Sequence, residues 1–125
     1  KHITFEYSLQ PTIIQANMNL IYIVINNLLS NAVKYSNEGA KIYVSCGEKD
    51  GKSYIRIQDE GCGIEKENIS KIFESFYREK KDRNAEGFGL GLSQAMKIAE
   101  LYGGGIYVES TKNKGSIFTF FIPKP

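Results

Sequence analysis

Apolar residues recur at helical spacing from Leu20 to about Tyr35, at Leu20, Ile21, Val24, Ile25, Leu28, Leu29, Ala32 and Val33, which predicts a buried helix. Its β-branched run of Ile21, Ile23, Val24 and Ile25 is a poor helix former by propensity, so packing has to carry it. Asn17 or Asn19 can cap its start, and Ser36-Asn37-Glu38-Gly39 ends it, with Gly39 free to take positive φ. The period changes to two in Ile3 to Tyr7, Lys41 to Cys46, Ser53 to Gln58, Ile106 to Ser110 and Ser116 to Ile122, each read as a half-buried strand. Pro11 leaves room only for a short strand from Thr12 to Gln15. Asp50-Gly51 marks a hairpin, and Lys112-Asn113-Lys114-Gly115 a second turn. A shorter helix is expected from about Lys66 to Ser75 and a third from Ser93 to about Leu101. This order of elements predicts an α/β two-layer sandwich, a mixed sheet of about five strands with three helices on one face.

Length and composition narrow the picture. A chain of 125 residues is one domain and buries roughly two-thirds of its unfolded surface. Sixteen basic and 14 acidic side chains, interspersed to a net charge of +2, make no electrostatic footprint for nucleic acid or an anionic membrane. The longest apolar stretch, Leu20 to Ile25, is far too short to span a bilayer. One histidine, His2, and two cysteines, Cys46 and Cys62, exclude a His-rich or Cys-rich metal centre, and free thiols in a reducing compartment are expected.

Three polar features stand out against this background. Asn27, Asn31, Lys34 and Tyr35 lie at i, i+4, i+7 and i+8 and project from one side of the first helix. An Asn carbonyl can ligand Mg²⁺ and a lysine can neutralise phosphate, although such amides also serve simply to satisfy nearby backbone. Asp59 follows a strand in Asp59-Glu60-Gly61-Cys62-Gly63-Ile64, where a buried carboxylate can accept a hydrogen bond from an exocyclic amine; a plain glycine-rich turn is the simpler reading. Gly87, Gly89 and Gly91 open a helix whose free N–H groups favour anions. They lack the Gly-Lys-Ser/Thr ending of a Walker loop, and a purely conformational lid is the alternative. Residues Arg78 to Glu86 are charged and nearly devoid of hydrophobes, so they should be mobile and solvated.

Taken in order, Asn27 to Ser36, Asp59 to Ile64, Ile72 to Arg78 and Gly87 to Leu92 resemble the N, G1, F and G2 boxes of sensor histidine kinases. The tail, Tyr102-Gly103-Gly104 followed by Ile106 to Ser110 and Gly115 to Phe120, resembles that family's closing segment. The resemblance implies the Bergerat fold and binding of ATP with Mg²⁺. It implies that Asn31 ligands the metal with Asn27 alongside, that Lys34 reaches the phosphates and that Tyr35 packs on adenine. Asp59 would accept the adenine amine, Gly61, Gly63 and Ile64 would shape the base pocket, and Arg78 would approach the γ-phosphate. Gly87, Gly89, Leu90, Gly91 and Leu92 would cover the triphosphate, with the charged stretch as ATP lid. ATPases of this superfamily carry glutamate at the position of Asn27, and an amide cannot be that general base, so the resemblance implies phosphoryl transfer to a protein nucleophile.

The chain departs from the family pattern at Phe88, usually Thr or Ser, at Tyr102, usually His, and at Asn17, commonly Asp. His2 lies in strand-like sequence, so the phosphoacceptor histidine is expected on a separate dimerisation hairpin of the same parent protein, with a response regulator as indirect partner. The resemblance thus makes residues 1–125 a monomeric cytoplasmic catalytic domain without its hairpin. A nucleotide-binding or interaction module that has lost activity, and a serine-directed anti-sigma kinase, are alternatives on the same fold. The first helix is apolar on nearly all sides, so Tyr22 or Ile23 is expected to meet the hairpin or to pack within the domain.

Overall fold

Alternate residues of Lys41–Lys49 (β2), Lys52–Asp59 (β3) and Gly115–Pro123 (β5) are buried, so one face of each strand enters the core. The computed structural model describes residues 2–72 and 91–125. It joins these strands to β1 (Thr4–Leu9) and β4 (Gly105–Thr111) in one sheet of order β1-β2-β3-β5-β4. β1 pairs parallel to β2 and the other neighbours are antiparallel, which makes the sheet mixed as expected. The β2–β3 hairpin turns through Asp50 and Gly51, at φ 53° and 76°, the two positive values of a type I′ turn.

The first helix, α1 (Met18–Tyr35), starts two residues before its apolar pattern because the Asn17 side chain accepts from the N–H groups of Asn19 and Leu20. It packs on β3 and on α2 (Gly91–Leu101), which also contacts β4 and β5. Val24 and Leu28 are sealed against Ile42, Ile57 and Phe120, and burial of such side chains, at about 1.5–3 kcal/mol each, offsets the poor propensity of the β-branched run. At the far end Gly39 takes φ 78°.

Several expectations need correction. Among the described residues there are two α-helices where three were expected: Lys66–Lys71 forms a six-residue 3-10 helix whose start, at Glu65, has no side-chain cap. Ile72 anchors its end in the core; the expected continuation to Ser75 lies outside the described residues. Thr12–Gln15 is irregular, held where the Ser53 hydroxyl donates to the Ile13 carbonyl at 2.8 Å. β1 is not half-buried. All six of its residues are exposed because neither described α-helix makes a substantial contact with it, whereas α2 covers the other edge strand, β4. On α1, Tyr22 is 69% exposed, whereas Ile23 packs against the core. Cys46 and Cys62 are free thiols, as expected. No helix among the described residues is long and apolar enough to cross a membrane.

Candidate functional site

β3 runs one residue further than its alternation suggested, so Asp59 follows Ile55 and Ile57 on the helix-facing side and is only 4% exposed. Burial pushes its carboxyl above the ordinary aspartate range. The backbone N–H groups of Gly61 and Ser116 oppose the shift without cancelling it. One carboxylate oxygen, Oδ1, accepts from the Gly61 N–H at 2.9 Å. A ligand amine directed at the remaining acceptor capacity would meet a charge already removed from water, where hydrogen bonds are strong.

The loop after Asp59 is pinned from two sides. A Cβ on Gly61 would stand 2.2 Å from the Tyr35 carbonyl oxygen, which already accepts from the Cys62 N–H at 3.3 Å. Only glycine lets the loop press against the end of α1. On the other side Gly63, at φ 70°, leaves 2.2 Å between a hypothetical Cβ and the Thr111 carbonyl oxygen. The Asn113 N–H donates to the Cys62 carbonyl at 2.7 Å, and the Ile64 N–H donates to Ser110 Oγ at 2.7 Å. Ile64 packs against the core, and Lys112 pairs with Glu65.

The polar stripe of α1 faces the start of α2. Asn27 donates its amide to the Gly91 carbonyl at 3.1 Å and to Gln94 Oε1 at 3.3 Å, which leaves its own carbonyl without a hydrogen bond among the described residues. Asn31, one turn on, is half-buried and its amide makes no hydrogen bond among the described residues. Two unused amide oxygens one turn apart are the donor type that a hard cation such as Mg²⁺ takes, together with water and phosphate. No cluster of three His, Cys, Asp or Glu competes among the described residues. Lys34 Nζ stands 5.5 Å from the centroid of the half-buried Tyr35 ring. Gly91 of α2 lies beside Asn27, and Leu92 packs on the core.

The structure brings Asn27 to Gly91 midway along α1 and Tyr35 to Gly61 at its end, beside the buried Asp59; Asn31 and Lys34 lie on the helix between these contacts, Gly63 rests on Thr111, and Ile64 and Leu92 pack against the core. Arg78, Gly87, Phe88, Gly89 and Leu90 lie outside the described residues. Two side chains that bear on the site escaped the sequence reading, Ser110 and Ser116. Their signal, a serine on each side of the second turn, has meaning only once β4 and β5 are in register. The Asn17 backbone N–H donates to the Tyr102 hydroxyl at 2.9 Å, tying the start of α1 to the end of α2.

Known proteins share both the sequence and the shape. Residues 16–125 match the family model described as histidine kinase-, DNA gyrase B-, and HSP90-like ATPase. The sensor histidine kinase WalK of Bacillus subtilis is 36% identical over 129 residues, covering 98% of this chain and 21% of that protein. The adaptive-response sensory kinase SasA of Rippkaea orientalis is 43% identical over 114 residues, covering 90% of this chain and 29% of that protein. The chain therefore spans less than a third of these relatives' length. The mycobacterial sensor histidine kinase MprB superposes with a TM-score of 0.87 at 26% identity, covering 98% of this chain and 82% of that one. The catalytic domain of histidine kinase ThkA gives 0.84 at 32% identity, covering 98% and 80%. Full-length ShkA in complex with AMPPNP gives 0.85 at 25% identity, covering 98% and 26%. With its five-stranded mixed sheet, its buried Asp59 and its amide stripe, the chain belongs to the family of histidine kinase-, DNA gyrase B- and HSP90-like ATPases, and within it to the sensor histidine kinase type.

Proposed function

We infer that the chain binds Mg-ATP and passes the γ-phosphoryl group to a histidine on a separate dimerisation domain of its parent protein, from which a response regulator draws it. The observation that carries this reading is Asn27. A hydrolytic site needs a carboxylate to take the proton of an attacking water; here the position holds an amide whose N–H groups are engaged by Gly91 and Gln94. Such a site holds ATP without a base to activate water and leaves attack to an imported nucleophile.

In this reading Asp59 accepts the adenine amine, Tyr35 and Ile64 flank the base, and Gly61 and Gly63 allow the loop its close approach. Lys34, the start of α2 and Arg78 neutralise phosphate charge, and Gly87, Gly89, Leu90, Gly91 and Leu92 cover the triphosphate. Asn31 and Asn27 would hold Mg²⁺, which would supply neutralisation of phosphate charge. The transfer breaks the bond between the γ-phosphorus and the β–γ bridging oxygen and forms a phosphorus–nitrogen bond to imidazole, with ADP leaving and the imidazole proton passing to water. His2 is exposed, so an ordinary surface role suits it. Tyr22, exposed on α1, is a surface the hairpin can meet. The domain acts as a monomer in the cytoplasm and contacts neither nucleic acid nor membrane.

γ-labelled ATP supplied to the chain together with a helical hairpin bearing a histidine followed by an acidic residue tests this. Label should appear on the hairpin in acid-labile form, with little free phosphate. Acid-stable label would indicate a serine acceptor, and free phosphate without labelled protein would indicate hydrolysis; either overturns the reading.

A further inference from the structure

Asp59, Ser116 and Ser110 stand in one row across β3, β5 and β4, since Asp59 pairs with Ser116 and Ser116 with Ser110. All three side chains point to the helix-facing side, and Asp59 and Ser116 are buried. Ser110 Oγ makes three contacts: the Ile64 N–H donates to it at 2.7 Å, the Gly115 carbonyl lies at 3.1 Å and Ser116 Oγ at 2.8 Å. A hydroxyl has one proton and two lone pairs. The Gly115 carbonyl can only accept, so it takes the Ser110 proton. Ser116 must then donate its own proton to Ser110, which fills the second lone pair. The Ser116 hydroxyl is left with lone pairs alone beside a carboxylate that is also an acceptor.

We propose that Ser110 is a positioning residue for base selection: by holding the Ser116 proton it makes the whole Asp59–Ser116 edge accept only, so that the site takes a purine with a 6-amino group and rejects a 6-oxo purine. The proposal rests on the nucleotide-binding reading and adds to it a residue that touches no base. A 6-oxo oxygen placed at this edge faces lone pairs from both side chains, and no rotation of Ser116 relieves the repulsion while Ser110 is present. Once Ser110 is gone, the freed Ser116 hydroxyl turns and donates to that oxygen.

Calorimetric affinities of the full chain for ATP and inosine triphosphate, which differ at position 6 and the adjoining ring nitrogen, test the proposal. In Ser110→Ala the ATP preference should fall about tenfold, the worth of one hydrogen bond turned from repulsive to attractive. Ser110→Thr, which keeps the hydroxyl, should restore it. Adding Ser110→Ala to Ser116→Ala should leave the preference of the single Ser116→Ala variant unchanged. Loss of the Ile64 contact weakens both nucleotides alike and cancels in the ratio. Equal weakening with an unchanged ratio in Ser110→Ala therefore overturns the proposal and leaves nucleotide binding intact. Failure of the unaltered chain to bind ATP overturns the nucleotide reading itself.

Discussion

Asn31→Ala should lower phosphoryl transfer to the hairpin by about 10²–10³-fold, the usual cost of deleting one group that fixes charge at a reacting phosphate. The same variant should unfold no more readily than the unaltered chain. Asn31 makes no hydrogen bond among the described residues, and alanine is the better helix former by up to ~0.7 kcal/mol. Higher stability with lost activity marks a residue kept for chemistry at the expense of the helix. Transfer rates measured beside denaturant midpoints check both halves. A loss of stability would make Asn31 a structural amide, and an unchanged rate would remove it from the site.

Asp59→Asn should weaken ATP binding roughly 10–100-fold, the worth of a hydrogen bond to a buried charged acceptor. Here too stability should move the other way. The native carboxyl is raised above its unfolded value chiefly by burial, so the native state holds its proton more tightly than the unfolded state does. Stability contributed through Asp59 is therefore greatest below the ordinary aspartate range and declines as pH rises through the raised native value. Asparagine keeps an oxygen for the Gly61 N–H and carries no charge, so the variant lacks this decline and should be at least as stable at neutral pH. ATP affinity by calorimetry, and thermal midpoints at acid and neutral pH, make the comparison. Unchanged affinity would take Asp59 out of the base pocket.

What could be read along the chain was what local physics decides. The Asn17 cap, the Asp50-Gly51 turn and the apolar stripe of α1 each depend on residues a few positions apart, and all three stand in the structure. The polar stripe was legible for the same reason, since one helix carries Asn27, Asn31, Lys34 and Tyr35. β1 misled because alternation reports a strand but not whether a helix covers it. The Lys66–Lys71 segment misled because a few apolar residues with no cap do not distinguish an α-helix from a 3-10 turn. Ser110 was invisible because its meaning lies in Ile64, 46 residues away, and in the register with Ser116. The bond from the Asn17 backbone N–H to the Tyr102 hydroxyl was hidden in the same way, since it spans 85 residues.

The most direct measurement is a calorimetric titration of the chain with ATP in the presence of Mg²⁺. Saturable binding to one site is expected, weakened by Asp59→Asn and accompanied by negligible phosphate release. Absence of binding at millimolar ATP, or turnover to free phosphate at the rate of an ATPase, would contradict it.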